Sequence, residues 1–248
     1  MGQVYCRFYK ELNDFVTPAL RHTEINHDLD RKASVKDIIE SFGVPHTEVV
    51  LILVNEVSVD FTYIAQDGDV IRVYPSLVYI DAKQMQQLRP EPLPIPKYVI
   101  DANLGRLARY LRLLGFDCLY RNDYSDEMVA KISSKDERVV LTRDRSLLQR
   151  KIIVYGYFVR ASTPRIQVHE VLKKFDLFHL ISPLSRCTRC NGKLRKIAKQ
   201  KIAHRLKPLT KRYYNNFLIC AECGQIYWQG SHYERTIQLV EKFKEGGE

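Results

Sequence analysis

Residues 98–117 read YVIDANLGRLARYLRLLGFD and determine what kind of structure the middle of this chain can adopt. Residues 98–100 form a short apolar run, which is typical of a buried strand. After Asp101, leucines recur at the three- and four-residue spacing of a helix that buries one face, and Gly115 ends that pattern. The stretch therefore predicts a strand followed by a helix, which is the repeating unit of an α/β sheet.

The alternation of strand and helix continues after this stretch. Apolar runs at residues 118–120, 139–142 and 152–159 predict further strands, with helical patterns between and after them. Such an order is typical of a parallel sheet that carries helices on both faces. We therefore expect an α/β domain over residues 97–181.

Residues 1–80 follow a different pattern and are called the acidic head below. Apolar residues alternate at its start, Ser34 begins a helix that Gly43 ends, and an apolar run at residues 49–54 opens a second group of strands. This ββαββ order resembles the ubiquitin-like β-grasp domains, in particular the sulfur-carrier proteins of thiamine and molybdopterin synthesis. Those carriers end in a reactive Gly-Gly, and nothing of that kind follows Pro75, so their chemistry is not transferred.

A proline-rich linker is expected at residues 81–96, between the acidic head and the α/β domain. Four prolines stand there at alternate positions, from Pro90 to Pro96. Proline fixes the backbone in an extended conformation, so such a segment is a fairly stiff spacer.

Two C-x-x-C pairs stand in the last part of the chain, which we delimit as residues 182–248. They are Cys187 with Cys190 and Cys220 with Cys223. Four thiolates from two such turns form the closed tetrahedral site of structural Zn²⁺ and leave no position open for a substrate. The spacing predicts a zinc ribbon; two disulfides or four unrelated buried thiols are the alternatives.

The charge of the chain is unevenly distributed. The 248 residues carry a net charge of +10, but residues 1–88 hold 8 Lys and Arg against 13 Asp and Glu, whereas residues 181–248 hold 14 against 5. Residues 193–212, called the basic segment below, contain nine Lys and Arg and no acid. A basic surface of this kind favours a polyanionic partner, with an ordinary solvated surface as the alternative. We expect Lys199, Lys201, Lys207, Lys211 and Arg212 to contact such a partner. Tyr213, Tyr214 and Trp228 are available for base stacking, although Trp228 is expected to pack in the core instead.

Acidic residues follow three of the predicted strands. They are Asp101, Asp123 and Asp144, and Asp126 lies in the first turn of the next helix. In parallel sheets, sites form beyond the carboxyl ends of the strands, and clustered carboxylates favour Mg²⁺ or Mn²⁺. Acids after strands are also common as turn formers and helix caps, so the alternative for each one is a structural role.

Arginines accompany these acids. Arg106, Arg109 and Arg112 recur along the polar side of the first helix, and Arg143 precedes Asp144. We expect these arginines to guide the phosphates of a phosphodiester substrate, with a solvated helix face as the alternative.

Several motifs together resemble the PIN-like domain of the Mut-seven C-terminal ribonuclease family. They are residues 98–117, 141–145, 156–160 and 227–235, and the paired cysteines. The resemblance covers residues 97–240, and the acidic head matches the usual bacterial arrangement in front of it. It implies a metal-dependent RNA endonuclease in which Asp101 and Asp144 are the first and last metal ligands. Asp126 fits best as the middle ligand, and Asp123 comes next.

One departure from the family pattern and one competing hypothesis accompany this resemblance. The family's fourth acid has no obvious counterpart, because Glu170 is the only acid between residues 151 and 175. A competing hypothesis is a non-catalytic RNA-binding adaptor whose acidic head docks another protein.

No segment is apolar enough for a membrane span or an export signal, and thiolates that bind metal favour the cytoplasm. We therefore expect a cytoplasmic protein without a membrane partner.

Overall fold

The computed structural model describes residues 2–76, 88, 95–228 and 230–244, with only the backbone given for 231, 232, 234–236 and 244. The chain divides into two compact units. The first contains Met1–Ile95 and Ala130–Phe158, and the second contains Pro96–Val129 and Val159–Glu248. Most of the predicted linker, residues 81–87 and 89–94, lies outside the described residues.

The acidic head forms a five-stranded mixed sheet with one helix. Its elements are β1 (Gly2–Phe8), β2 (Ile25–Leu29), α1 (Val35–Ser41), β3 (Leu51–Val54), β4 (Val57–Ser58) and β5 (Val70–Tyr74). The strand order is β2-β1-β5-β3-β4, with β1 and β5 parallel and the other pairs antiparallel. The β-grasp prediction is confirmed, although the order is ββαβββ rather than ββαββ. The additional short strand, β4, pairs with β3 through a turn at Asn55 and Glu56.

Local sequence signals explain these elements. Ser34 and Asp37 form a reciprocal capping box at the start of α1, and Gly43 adopts a φ of +83° just after its end. In β1, the alternate side chains Val4, Cys6 and Phe8 are buried. They pack with α1 into one apolar core.

The first unit also contains a strand–helix–strand segment from the predicted α/β domain. Its elements are β8 (Val139–Thr142), α4 (Arg145–Leu148) and β9 (Gly156–Phe158), and β8 and β9 are parallel. The strand predicted over residues 152–159 is therefore too long. Before β9 the chain turns, because the N–H of Ile153 donates to the Arg150 carbonyl at 3.0 Å and the Ile153 carbonyl accepts from His46.

The second unit begins with the other parallel pair. Its elements are β6 (Tyr98–Ile100), α2 (Gly105–Leu113), β7 (Cys118–Leu119) and α5 (Pro164–Lys174), with α3 (Asp126–Asp136) at the boundary of the unit. Leu107, Leu111 and Leu114 are fully buried, and α2 packs against α5. Gly115 has a φ of +101°, so the predicted end of the helix is confirmed.

The ribbon completes the second unit. Three antiparallel strands in the order β10-β11-β12 carry the second cysteine pair at one end. The elements are β10 (Leu194–Ile197), α6 (Lys199–Ile202), α7 (Pro208–Tyr213), β11 (Phe217–Cys220), β12 (Ile226–Trp228) and α8 (Ser231–Lys244). The predicted fold class is thus confirmed: a parallel α/β sheet with a β-grasp domain before it and a zinc ribbon after it.

Within the described residues, no helix combines the length and apolar character that crossing a membrane requires.

Candidate metal centre and strand-end acids

The two cysteine pairs lie in turns of the same geometry. In the first turn, the Cys187 N–H donates to the Gly192 carbonyl at 2.8 Å and the Asn191 N–H donates back to the Cys187 carbonyl at 2.9 Å. In the second turn, Cys220 makes the equivalent bonds with Gln225 and Gly224 at 2.9 and 3.2 Å. Asn191 and Gly224 both have positive φ, +75° and +69°, which closes each turn tightly. Each turn therefore presents two sulfurs to the same point.

The four sulfurs have the spacing that a tetrahedral zinc site needs. All lie within 4.8 Å of one another, with Cys187 Sγ 3.6 Å from Cys223 Sγ and Cys190 Sγ 3.4 Å from Cys220 Sγ. A Zn–S bond of about 2.3 Å places neighbouring sulfurs about 3.8 Å apart in a tetrahedron. In the described part of the chain, this is the one group of three or more His, Cys, Asp or Glu side chains packed so closely. The cluster could bind zinc.

A tyrosine that sequence reasoning did not select contacts this cluster. The Tyr227 hydroxyl lies 3.1 Å from Cys187 Sγ and accepts a hydrogen bond from the Thr188 N–H, also at 3.1 Å. Burial raises the pKa of the Cys187 thiol, but hydrogen bonds from Tyr227 and from backbone amides outweigh burial and bring it to about 7. Tyr227 therefore stabilises the thiolate form that binds metal. No local sequence signal marks this residue, because its partner is 40 positions away.

Asp101 and Asp144 both lie at the ends of parallel strands, but in different surroundings. Asp101 follows β6 and is only 6% exposed. Asp144 lies two residues after the end of β8 and is half-buried. Its N–H donates to the Thr142 hydroxyl at 2.9 Å, and its Oδ1 accepts from both the N–H and the hydroxyl of Ser146 at 2.8 Å. These bonds cap α4 and fix the orientation of the Asp144 carboxylate.

Asp123 and Asp126 differ in their hydrogen-bond partners and in their exposure. Both oxygens of Asp123 accept from the Arg121 guanidinium, at 2.9 and 2.7 Å, and this pair is exposed. The hydrogen bonds from Arg121 lower the pKa of Asp123. Asp126 is the first residue of α3 and half-buried, whereas the cap of that helix comes from Ser125, whose Oγ accepts from the Met128 N–H at 3.3 Å. Among the described residues, no group that includes Asp101 or Asp126 is as compact as the four cysteines.

Glu170 has a structural role in the loop after β9. Its two carboxylate oxygens accept from the backbone N–H groups of Arg160 and Ala161 at 2.8 and 2.9 Å.

The predicted arginine stripe on α2 requires one correction. Arg106 and Arg109 are exposed, but Arg112 is only 4% exposed. Its guanidinium donates to four backbone carbonyls, two of them beside the first cysteine turn: Cys118 (2.8 Å), Arg189 (3.0 Å), Tyr120 (3.3 Å) and Thr188 (3.4 Å). Arg112 therefore has a structural role, joining α2 and β7 to the ribbon, and it does not lie on the exposed stripe. Arg143 is exposed.

Most of the basic segment is on the surface. Lys201, Lys207, Lys211 and Arg212 are exposed, and Lys199 is half-buried with its Nζ 2.8 Å from Asn215 Oδ1. Trp228 was expected in the core and is instead 38% exposed. The apolar centre of the ribbon is formed by Ile202, Phe217 and Ile226.

Comparison with known families agrees with this architecture. A family model described as "Mut7-C RNAse domain" matches residues 96–240, more than half of the chain, and one described as "Mut7-C ubiquitin" matches residues 1–81. A search of curated proteins finds no match, and neither does a search of solved structures. The two family domains occur in the order that the sequence predicts, so the chain belongs to the Mut7-C RNAse domain family.

Proposed function

We propose that this protein is a divalent-metal-dependent ribonuclease that cleaves RNA internally. The observation that carries the proposal is the position of Asp101, a largely buried carboxylate directly after a parallel strand, in the region matched by the RNAse domain. Functional sites of parallel sheets form at such strand ends. Fold alone is weaker support for an activity than an acid in this position.

We propose Asp101, Asp126 and Asp144 as the ligands of a Mg²⁺ or Mn²⁺ ion. Such an ion, when bound, activates a water molecule and offsets the charge that builds up on phosphorus. Ser146 holds Asp144 through Oδ1, which within the described part of the chain leaves Oδ2 for the cation. Asp126 is preferred to Asp123 as the middle ligand because Arg121 already binds both oxygens of Asp123.

The remaining parts of the chain have supporting roles in this proposal. The four cysteines hold a structural Zn²⁺, which fits the spacing of their sulfurs and a reducing compartment such as the cytoplasm. The exposed lysines and arginines of the basic segment, with Arg106, Arg109 and Arg143, bind RNA phosphates.

Cleavage of a labelled RNA pool by the wild type and by Asp101→Asn tests the proposal. The pool contains single-stranded and structured RNA, and is incubated with Mn²⁺, with Mg²⁺ or with neither ion. We expect Asp101→Asn to abolish cleavage and to retain RNA binding, since asparagine preserves the shape but removes the ligand charge. Asp176→Asn is a matched control: Asp176 is exposed and has a φ of +50°, which asparagine tolerates.

Three outcomes of this assay are informative. Cleavage that persists unchanged in Asp101→Asn would show that these acids are not the site. Wild-type protein that binds RNA but cuts it with neither ion would favour the non-catalytic adaptor, in which the acidic head docks another protein. Loss of activity in Asp123→Asn but not in Asp126→Asn would assign the middle ligand to Asp123.

A further inference from the structure

A groove of about 620 Å³ lies at one end of the ribbon sheet, where β10 and β12 finish and β11 begins. Two cross-strand rows meet there, Lys196–Leu218–Tyr227 and Ile197–Phe217–Trp228. The residues that give the groove its chemistry are three aromatic rings, two amides and one cation: Tyr227, Trp228, Tyr233, Asn215, Asn216 and Lys196. Its volume is within the range of small-ligand sites, about 300–1,000 Å³.

The indole of Trp228 lines the groove and is only partly buried. Trp228, the single tryptophan of the chain, is 38% exposed. A Cβ added at Gly230 would lie 2.9 Å from the indole Nε1, so the indole packs closely against the backbone at this glycine. The ring of Tyr214 lies beside it, with 6.5 Å between centroids. Contacts on one side thus hold the indole in place while part of its surface stays accessible.

The polar groups at the groove favour an anion that also carries hydrogen-bonding edges. Asn215, Asn216 and Lys196 are exposed, and none of the described residues that line the groove is acidic. Lys199 donates to Asn215 Oδ1 at 2.8 Å, which leaves the amide N–H₂ of Asn215 to be offered to a ligand. Lys196 and Lys199 belong to the acid-free basic segment, so the groove opens beside a surface that attracts polyanions.

We propose that this groove binds an unpaired nucleotide of RNA, with the base against Trp228 and the phosphate beside Lys196. The inference deepens the proposed function and rests on it, because it names the form of RNA that the nuclease holds. Only a base outside a duplex can place its face on an aromatic ring, and stacking of this kind tolerates any base. The ribbon would therefore select single-stranded segments without reading their sequence.

Tryptophan fluorescence tests the proposal directly, because Trp228 is the only emitter of its kind. The full-length Asp101→Asn protein is titrated without added Mg²⁺ or Mn²⁺, so that cleavage plays no part. The probes are a single-stranded RNA of about ten nucleotides, the same RNA annealed to its complement, inorganic polyphosphate and an acidic peptide. We expect saturable quenching by the single strand and much weaker quenching by the other three.

Variants then separate stacking from general charge attraction. Trp228→Ala should weaken binding of a labelled single strand about 10- to 100-fold, and Trp228→Phe should recover part of the loss. Leu209→Ala is the control, because Leu209 is 69% exposed in the basic segment but does not line the groove. Zinc content is measured for each variant, so that loss of the ribbon fold is recognised.

Four results would overturn the inference. They are wild-type affinity in zinc-loaded Trp228→Ala, equal quenching by duplex, equal quenching by polyphosphate, and tighter binding of the acidic peptide than of RNA. The outcome is separable from that of the cleavage assay. Groove binding without any RNA cleavage would refute only the nuclease proposal, and Asp101-dependent cleavage without groove binding would refute only this inference.

Discussion

The guanidinium of Arg145 donates to the backbone carbonyl of Phe15 at 3.0 Å and lies over its ring, joining residues 130 positions apart. A second N–H of Arg145 donates to the Asp14 carbonyl at 3.2 Å. Nearby, the buried Glu48 carboxylate accepts from the Phe158 N–H at 2.6 Å, and His46 Nε2 lies 2.9 Å from the Ile153 carbonyl. These hydrogen bonds connect the segment that starts immediately after Asp144 to the ubiquitin-like fold.

We predict that Arg145→Met destabilises the protein by about 1–2 kcal/mol, because two charge-assisted hydrogen bonds to backbone carbonyls are lost. Urea unfolding measures this change. Arg150→Met is the matched control, since Arg150 is an exposed arginine at the end of the same segment. Equal stability of the two variants would show that the contacts with Asp14 and Phe15 contribute nothing measurable.

We predict about one equivalent of zinc per chain, lost when Cys187 and Cys223 are both replaced by serine. Tyr227→Phe should keep the metal but weaken its affinity about tenfold, because the hydroxyl beside Cys187 Sγ disappears. Elemental analysis gives the stoichiometry, and competition with a coloured chelator gives the affinity. Tyr213→Phe, at an exposed tyrosine, should change neither quantity. A folded, zinc-free wild type would refute the assignment.

We predict opposite phenotypes for two arginines that are one turn apart on α2. Arg112→Ala should cost about 3 kcal/mol of stability or more, because it leaves buried carbonyls without the hydrogen bonds that the guanidinium now donates. Arg109→Ala should leave stability within about 0.5 kcal/mol and weaken RNA binding. Thermal unfolding and RNA titrations on both variants decide this. A stable Arg112→Ala protein with weaker RNA binding would restore the original stripe of three arginines.

We predict that replacing Lys199, Lys201, Lys207 and Lys211 with glutamine flattens the salt dependence of RNA binding. Each phosphate contact on a single strand contributes about 0.7 to the slope of log affinity against log salt. The slope is measured by titration at several KCl concentrations. Lys32 and Lys36, which lie in the acidic head, provide the control substitutions. An unchanged slope in the fourfold variant would place the RNA on another surface.

Sequence reasoning succeeded where the determining interactions are local. The capping box at Ser34, the turn at Gly115 and the paired cysteine turns depend on residues within a few positions of one another, and all three are present. The parallel pairing of β6 with β7 and of β8 with β9 follows from the alternation of elements.

The errors concern residues whose partners are distant in sequence. Arg112 has the spacing of a solvated stripe, but its carbonyl partners at residues 188 and 189 come from the ribbon. The strand predicted from residue 152 is interrupted because His46, more than 100 positions earlier, binds the Ile153 carbonyl. Trp228 lies outside the ribbon core because Phe217 and Ile226 already fill it. No local pattern could have indicated these partners.

The docking of the first cysteine turn on β7 has a consequence for how the protein should behave when zinc is withheld from the cysteine cluster. On the side away from β6, the N–H of Cys118 donates to the Asn191 side chain at 3.0 Å, and its carbonyl accepts from Arg112 at 2.8 Å. Asn191 stands directly beside the metal-binding turn. An uncovered strand edge is a template for pairing with other chains. We therefore expect zinc bound at this cluster to protect the strand edge from aggregation, and chelated samples to self-associate before their helices melt.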